Sequence, residues 1–179
     1  MNATLMRRAA LGKPRRLNAF QRDLVEGHFL SLEPEARRLR FGSSCKDEAI
    51  VEYVRALDFD RDAILGWRDA NFVLGGVVHL ARVTETLVEF SISVLEQYRG
   101  NGYGQRMTRE AFEEAAKHGF DRAHVQFIAA NYRMAAILDH YHATGEQDGT
   151  ERIVHVPLPA RLSRPLQAPI GPFVPLCFD

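Results

Sequence analysis

The pattern of apolar residues predicts a mixed α/β (α+β) domain of three layers, with helices on both faces of a central, mostly antiparallel sheet. Three observations carry that prediction. Apolar positions recur at helical spacing from residue 18 to 57, short apolar or alternating runs replace them from 62 to 95, and beyond a glycine-rich loop at 100–104 strand and helix patterns alternate to residue 158. A meander of strands pairs antiparallel, and the strand–helix–strand unit after the loop adds one parallel crossover.

The first helix opens at Asn18, a capping residue type, and carries Phe20, Leu24, Val25 and Phe29 on one stripe. Pro34 suits the first turn of a second helix through Arg40, and a third over 46–57 aligns Ile50, Tyr53, Val54 and Leu57. Residues 62–68 (DAILGWR) and 71–82 (NFVLGGVVHLAR) read as buried strands joined by a hairpin turn at Asp69-Ala70-Asn71. Across 86–95 (TLVEFSISVL) the alternation is strict: Val88, Phe90, Ile92 and Val94 face one way, Glu89, Ser91 and Ser93 the other. After the loop, Met107, Ala111, Phe112 and Ala115 form the buried stripe of a helix that Gly119 stops. Residues 123–130 (AHVQFIAA) are a strand, Asn131 opens a helix ending near Gly145, 146–150 (EQDGT) is turn-like, and 151–158 (ERIVHVPL) is the last strand.

A chain of 179 residues with 46% hydrophobic and 26% charged residues suits a single core, and hence one active site. The expected organisation is a flexible basic arm over 1–16, a domain over 17–160 and an extended Pro-rich tail over 161–179, where Pro165, Pro169, Pro172 and Pro175 oppose ladder pairing. Lys plus Arg and Asp plus Glu both number 23, so no net positive field gathers nucleic acid. Cys45 and Cys177 have neither disulfide-framework nor zinc-site spacing, which points to the cytoplasm and to no metal. The basic N-terminus lacks the apolar core of a signal peptide, and no run approaches the ~20 apolar residues of a membrane span. Oligomeric state leaves no mark in the pattern.

Residues 96–105 (EQYRGNGYGQ) place glycines at 100, 102 and 104 between the alternating strand and a helix. Such a loop aims consecutive N–H groups and the positive end of a helix at one spot, which attracts phosphate; glycines there permit φ > 0 and close approach. A dinucleotide fingerprint would need glycine where Gln105 stands, and a phosphate-binding Walker loop would need a lysine that Tyr103-Gly104-Gln105 does not supply.

What remains is R-x-x-G-x-G, as Arg99, Gly102 and Gly104. Here the chain resembles the Gcn5-related N-acetyltransferase (GNAT) family over roughly residues 18–158. VEFSISVLEQYRGNGYG is similar to the family's E-F-[A/S]-[V/I]-x-V strand and pyrophosphate loop, in the form found in bacterial protein-lysine acetyltransferase-like members. Asn131 and Met134 are similar to its N-x-x-M helix opening, and Leu32-Glu33-Pro34-Glu35 with Arg40-Phe41 resembles its early L-x-P-E…R-F segment.

The resemblance implies a three-layer α/β/α fold whose sheet splays between its fourth and fifth strands, here 86–96 and 123–130. It also implies acetyl-CoA as co-substrate and a primary amine, protein lysine or small molecule, as acceptor. The pyrophosphate would rest on the amides of Gly100, Asn101, Gly102, Tyr103, Gly104 and Gln105, the pantetheine arm along Val94, Leu95 and Glu96, and Asn131 would belong to the same binding set. Arg99 reads either as a phosphate ligand or as a solvated turn cation. Glu89 matches the family's general base; its competing reading is a glutamate on a half-exposed polar face. The family's tyrosine, seven residues after the helix-opening asparagine, is here Leu138, so Tyr141 becomes the candidate proton donor, against a packed aromatic. His79 reads as a hydrogen-bonded core histidine, and His124 as a strand residue without a partner cluster. Gly145-Glu146 stands where relatives have Gly-Phe, which points to a remodelled acceptor side. The departures keep open a catalytically weak acyl-CoA-binding regulatory module, and the Pro-rich end a docking segment.

Overall fold

The computed structural model describes residues 10–159. Seven strands form one sheet in the order β1-β2-β3-β4-β5-β7-β6. They are β1 (Arg15–Arg16), β2 (Ala63–Arg68), β3 (Leu74–Arg82), β4 (Leu87–Val94), β5 (Arg122–Ile128), β6 (Thr144–Asp148) and β7 (Glu151–Pro157). The helices are α1 (Arg22–Leu30), α2 (Pro34–Phe41), α3 (Asp47–Ala56), α4 (Tyr103–Lys117) and α5 (Tyr132–Leu138). Every pairing is antiparallel except β4 with β5, which are joined by the crossover through α4.

Two helical layers sandwich the sheet. On one face Phe90 of β4 meets Phe112 of α4 edge-on with ring centroids 4.9 Å apart, and Met107, Ala111 and Ala115 are buried beside it, as the stripe predicts. On the other face lie α1, α2 and α3, burying Val25, Phe29, Phe41, Ile50 and Val54. Asn18 does cap, but it caps a 3₁₀ turn at Ala19–Gln21 that runs into α1, which leaves Phe20 fully exposed rather than on the buried stripe.

His28 bolts α1 to the sheet. Its Nδ1 lies 2.8 Å from Leu74 O and its Nε2 2.7 Å from Ser93 Oγ. A carbonyl only accepts, so Nδ1 carries the hydrogen and Nε2 accepts the Ser93 hydroxyl. Burial, reinforced by Arg40 and Arg99 and only partly opposed by the bond to Leu74, lowers its pKa from 6.5 to about 4. The unfolded chain therefore binds a proton that the folded one refuses between those values. Stability should fall by on the order of 3 kcal/mol as pH drops from 6.5 to 4. Urea melts at pH 7, 5 and 4 check this; His28→Gln should flatten that slope at the cost of lower stability at pH 7.

Four expectations change. Of the basic arm expected over 1–16, residues 10–16 lie among those described, and they belong to the domain: Arg15 and Arg16 pair with β2, and Leu11 is buried at 4% exposure. The hairpin turn extends to Val73, with Asp69 N–H donating to Val73 O and Phe72 at φ 64°, so β3 starts at Leu74. The helix after Asn131 ends at Leu138 in a 3₁₀ turn over Asp139–Tyr141 rather than near Gly145. Finally, of the turn-like segment expected over 146–150 only residues 149–150 are turn; 146–148 belong to the exposed edge strand β6, its backbone ladder on β7 supplying what its polar side chains do not advertise. The tail expected over 161–179 lies outside the described residues. Among the described residues no helix is long and apolar enough to cross a membrane.

β6 rests on a glycine. A Cβ at Gly145 would fall inside the van der Waals envelope of Ile153 O and Val154 Cα, both main-chain atoms that cannot step aside. Gly145→Ala should push β6 off β7 and cost about 1–3 kcal/mol. Hydrogen exchange would read the loss at the β6–β7 ladder first, with the remaining strands protected as before.

Candidate functional site

The loop before α4 presents open main-chain amides at a helix start. Gly100 and Gly102 adopt φ of 72° and 76°, and a Cβ at either would meet nothing within 4 Å. Their missing side chains thus serve backbone conformation and leave open space in front of the amides. Gly104 differs: a Cβ there would lie 3.1 Å from Ile137 Cδ1, so this glycine lets α5 approach α4. The first-turn N–H groups of α4, from Tyr103 to Gln105, have no helical acceptor, Gly102 offers no side-chain cap, and the first turn holds no acidic residue. These features fit a diphosphate.

The loop is tied down from three sides. Tyr98 donates its hydroxyl to Asp69 Oδ2 at 2.9 Å, and Asn101 Nδ2 donates to the carbonyls of Tyr98 and Arg99. Arg99, expected as a phosphate ligand or a solvated cation, donates Nε to Val94 O at 2.8 Å and ion-pairs with Glu33 at the start of α2. Burial alone would raise the Glu33 pKa, but the Arg99 hydrogen bond, a main-chain hydrogen bond and the charges of Arg99 and Arg133 together outweigh it and hold the carboxyl below its ordinary value. Arg99 thereby locks the loop to the helical layer. The Tyr103 hydroxyl accepts from Leu11 N–H at 2.9 Å, and Arg106 grips the carbonyls of Leu11 and Gly12, so the N-terminal segment also braces the start of α4.

β4 and β5 pair only at Leu87–Arg122, Val88–Ala123 and Glu89–His124, then diverge. Successive residues of a strand direct their main-chain groups to opposite neighbours. Leu95 N–H donates to Gly75 O of the β3 side at 2.9 Å, so Leu95 cannot serve the opening, contrary to expectation. The residues directed at the opening are Ile92 and Val94. Ile92 lies outside the expected run Val94–Glu96, because its direction follows from the Leu95–Gly75 pairing, which only the fold supplies. Glu96 opens a 3₁₀ turn and its carbonyl accepts from Arg99 N–H at 3.0 Å. Asn131 caps α5, its Oδ1 accepting from Met134 N–H at 3.1 Å.

Below the opening, Glu89 and Ser91 share a cleft with Tyr53, Asp62 and His79. His79 is held as a core histidine: Nε2 lies 3.0 Å from Asp62 Oδ2 and Nδ1 2.9 Å from Tyr53 OH, which also accepts from Arg40 Nη2 at 2.7 Å. Asp62 is buried, which would raise its pKa, yet the bonds from His79 and Arg61 hold it at about 2. Burial raises the Tyr53 pKa. This polar chain makes one wall of the cleft rigid. No short-range sequence signal announces it, since its members lie 17 and 26 residues apart.

Tyr141 stands elsewhere. Its ring packs edge-on against Phe112 at 5.0 Å, on the Phe90 face of the sheet, while Glu89 next to Phe90 points to the opposite face. The fold therefore does not bring Tyr141 and Glu89 together, and the tyrosine is the packed aromatic of the competing reading. Burial raises its pKa.

The profile of the acetyltransferase (GNAT) family matches residues 45–140. No curated protein matches the chain. Among solved structures, the GNAT domain of S. lividans PAT superposes with a TM-score of 0.69 at 12% identity, covering 86% of this chain and 98% of that one. The spermidine N-acetyltransferase from Vibrio cholerae, solved with CoA and spermine, gives 0.65 at 13% identity over 82% and 95%. A ribosomal-protein-S5-alanine acetyltransferase from Vibrio fischeri gives 0.64 at 12% over 83% and 97%. At such identities the likeness is one of fold.

Proposed function

The chain belongs to the acetyltransferase (GNAT) family and is an acyltransferase, and we propose that it moves an acetyl group from acetyl-CoA to a primary amine, with Glu89 as general base. The observation that carries the reading is the conjunction of the anion cradle at Gly100–Gln105 with a strand opening that leads from it to Glu89. The thioester supplies an acetyl group already activated for attack, so no protein nucleophile is needed. The main-chain amides of residues 100–105 would hold the diphosphate, and the main-chain groups of Ile92 with the N–H of Val94, whose carbonyl Arg99 occupies, would pair with the pantetheine arm as an added strand.

The chain's own contribution to chemistry is proton management. A lysine-type amine of pKa ~10.4 is neutral in about one molecule in a few thousand at pH 7, so binding beside a carboxylate that takes its proton produces the nucleophile. Protein lysine and small amines both remain within the proposal, and the two unclustered cysteines favour a cytoplasmic setting. Calorimetry with CoA and a thiol-release assay over peptides, polyamines and amino acids test it. Thiol release that depends on an added amine is the expected result. Tight CoA binding with no transfer to any amine would replace the proposal by the regulatory-module reading, which the distance of Tyr141 from Glu89 favours. Absence of CoA binding at millimolar concentration would end both.

A further inference from the structure

We infer that His124 and His155 extend the site sideways from Glu89 as a proton exit, an inference that rests on the transfer reaction proposed above. Strand order builds the row. Glu89 of β4 is in register with His124 of β5, His124 with His155 of β7, and His155 with Thr144 of the edge strand β6. Register partners share a face of the sheet, so four adjacent strands contribute one side chain each to a single line. The two imidazoles stand 5.1 Å apart between ring centroids. The line begins in the half-buried cleft at Glu89, passes through half-buried His124 and His155, and ends at exposed Thr144. Glu89–His124 is also the last pair before β4 and β5 diverge, the deepest point of the opening.

Proton balance demands such an exit. Acetyl transfer from sulfur to an ammonium nitrogen breaks the C–S bond, forms the C–N bond and strips two protons from nitrogen. The departing thiolate takes one, and the other must reach water in every cycle. Glu89 receives it first and has to be re-ionised before it can act again. A neutral His124 takes the proton from the Glu89 carboxyl, becomes imidazolium, and passes it outward to His155. The Nδ1 of His155 is buried and has no hydrogen-bond partner among the described residues, which leaves it able to receive.

The charged environment of His124 suits a relay. Burial lowers its pKa from the ordinary value, Glu89 from β4 raises it and His155 from β7 lowers it, while α2, which also packs against β5, brings none of its charges to bear. The ring is thus neutral at pH 7 and ready to accept.

The first test needs no reaction. In the free protein, NMR titration should find the His124 ring below the ordinary histidine value; Glu89→Gln should move its midpoint further down, and His155→Gln should move it up. A midpoint indifferent to both substitutions overturns the row. The second test is kinetic, with the most active amine of the panel. His124→Gln should lower kcat about tenfold with CoA affinity and acceptor KM unchanged, should shift the acid limb of the kcat profile, and should recover with imidazole in the buffer. His155→Gln, at a more peripheral position, should give a smaller loss of the same kind and guards against a folding failure at His124. Full activity and an unaltered pH profile in both variants would overturn the exit while leaving the transferase reading intact. A wild-type chain that transfers to no amine would overturn both.

Discussion

Glu89→Gln is expected to lower kcat by about a hundredfold or more at pH 7 while CoA affinity stays within twofold, because the amide keeps the volume of the carboxyl but cannot take a proton. The diphosphate cradle and the strand opening do not include the Glu89 side chain, so ground-state binding has no reason to change. The deficit should shrink as pH rises toward the acceptor's own pKa, since a growing share of amine is neutral without help. Steady-state rates from pH 7 to 9.5 measure this. A variant with wild-type turnover at pH 7, or a deficit that does not narrow with pH, would remove Glu89 from the role of base.

Gly102→Asp should raise the dissociation constant for CoA at least tenfold, at a stability cost of about 1 kcal/mol for a side chain at positive φ. Aspartate and asparagine visit the left-handed conformation more readily than most side chains, so φ of 76° at the start of α4 strains both variants alike. Its carboxylate would then sit on the orphaned amides that the diphosphate needs, and would repel it. Gly102→Asn is the paired control, with the same shape and no charge, and should lose less. Calorimetry on both variants, with melting temperatures alongside, separates the two causes. Equal losses for Asp and Asn would mean that the space in front of the loop matters and the anion cradle does not.

Much of the fold could be read without coordinates because its signals are local. The alternation around Glu89, the stripe of α4 and the glycines before it each lie within one element, and period together with backbone preference settle them. What failed locally was where pairing overrules side-chain character. The Thr144–Asp148 segment is polar throughout and became a strand because β7 offered it a ladder, and residues 15–16 joined the sheet because the edge of β2 was open to them. Arg99 reads from the sequence as a phosphate ligand or a solvated turn cation, and neither reading contains its ion pair with Glu33, 66 residues away.

The chain alone determined the family, the glycine loop between β4 and α4 and the position of a carboxylate on the strand that precedes it, since all three follow from residue types at fixed short spacings. Only the tertiary structure decided which main-chain groups face the opening, that Tyr141 lies across the sheet from Glu89, and that His124 has neighbours at all. Those facts depend on strand order and register, set by the total burial of many residues far apart in sequence, which no single stretch records.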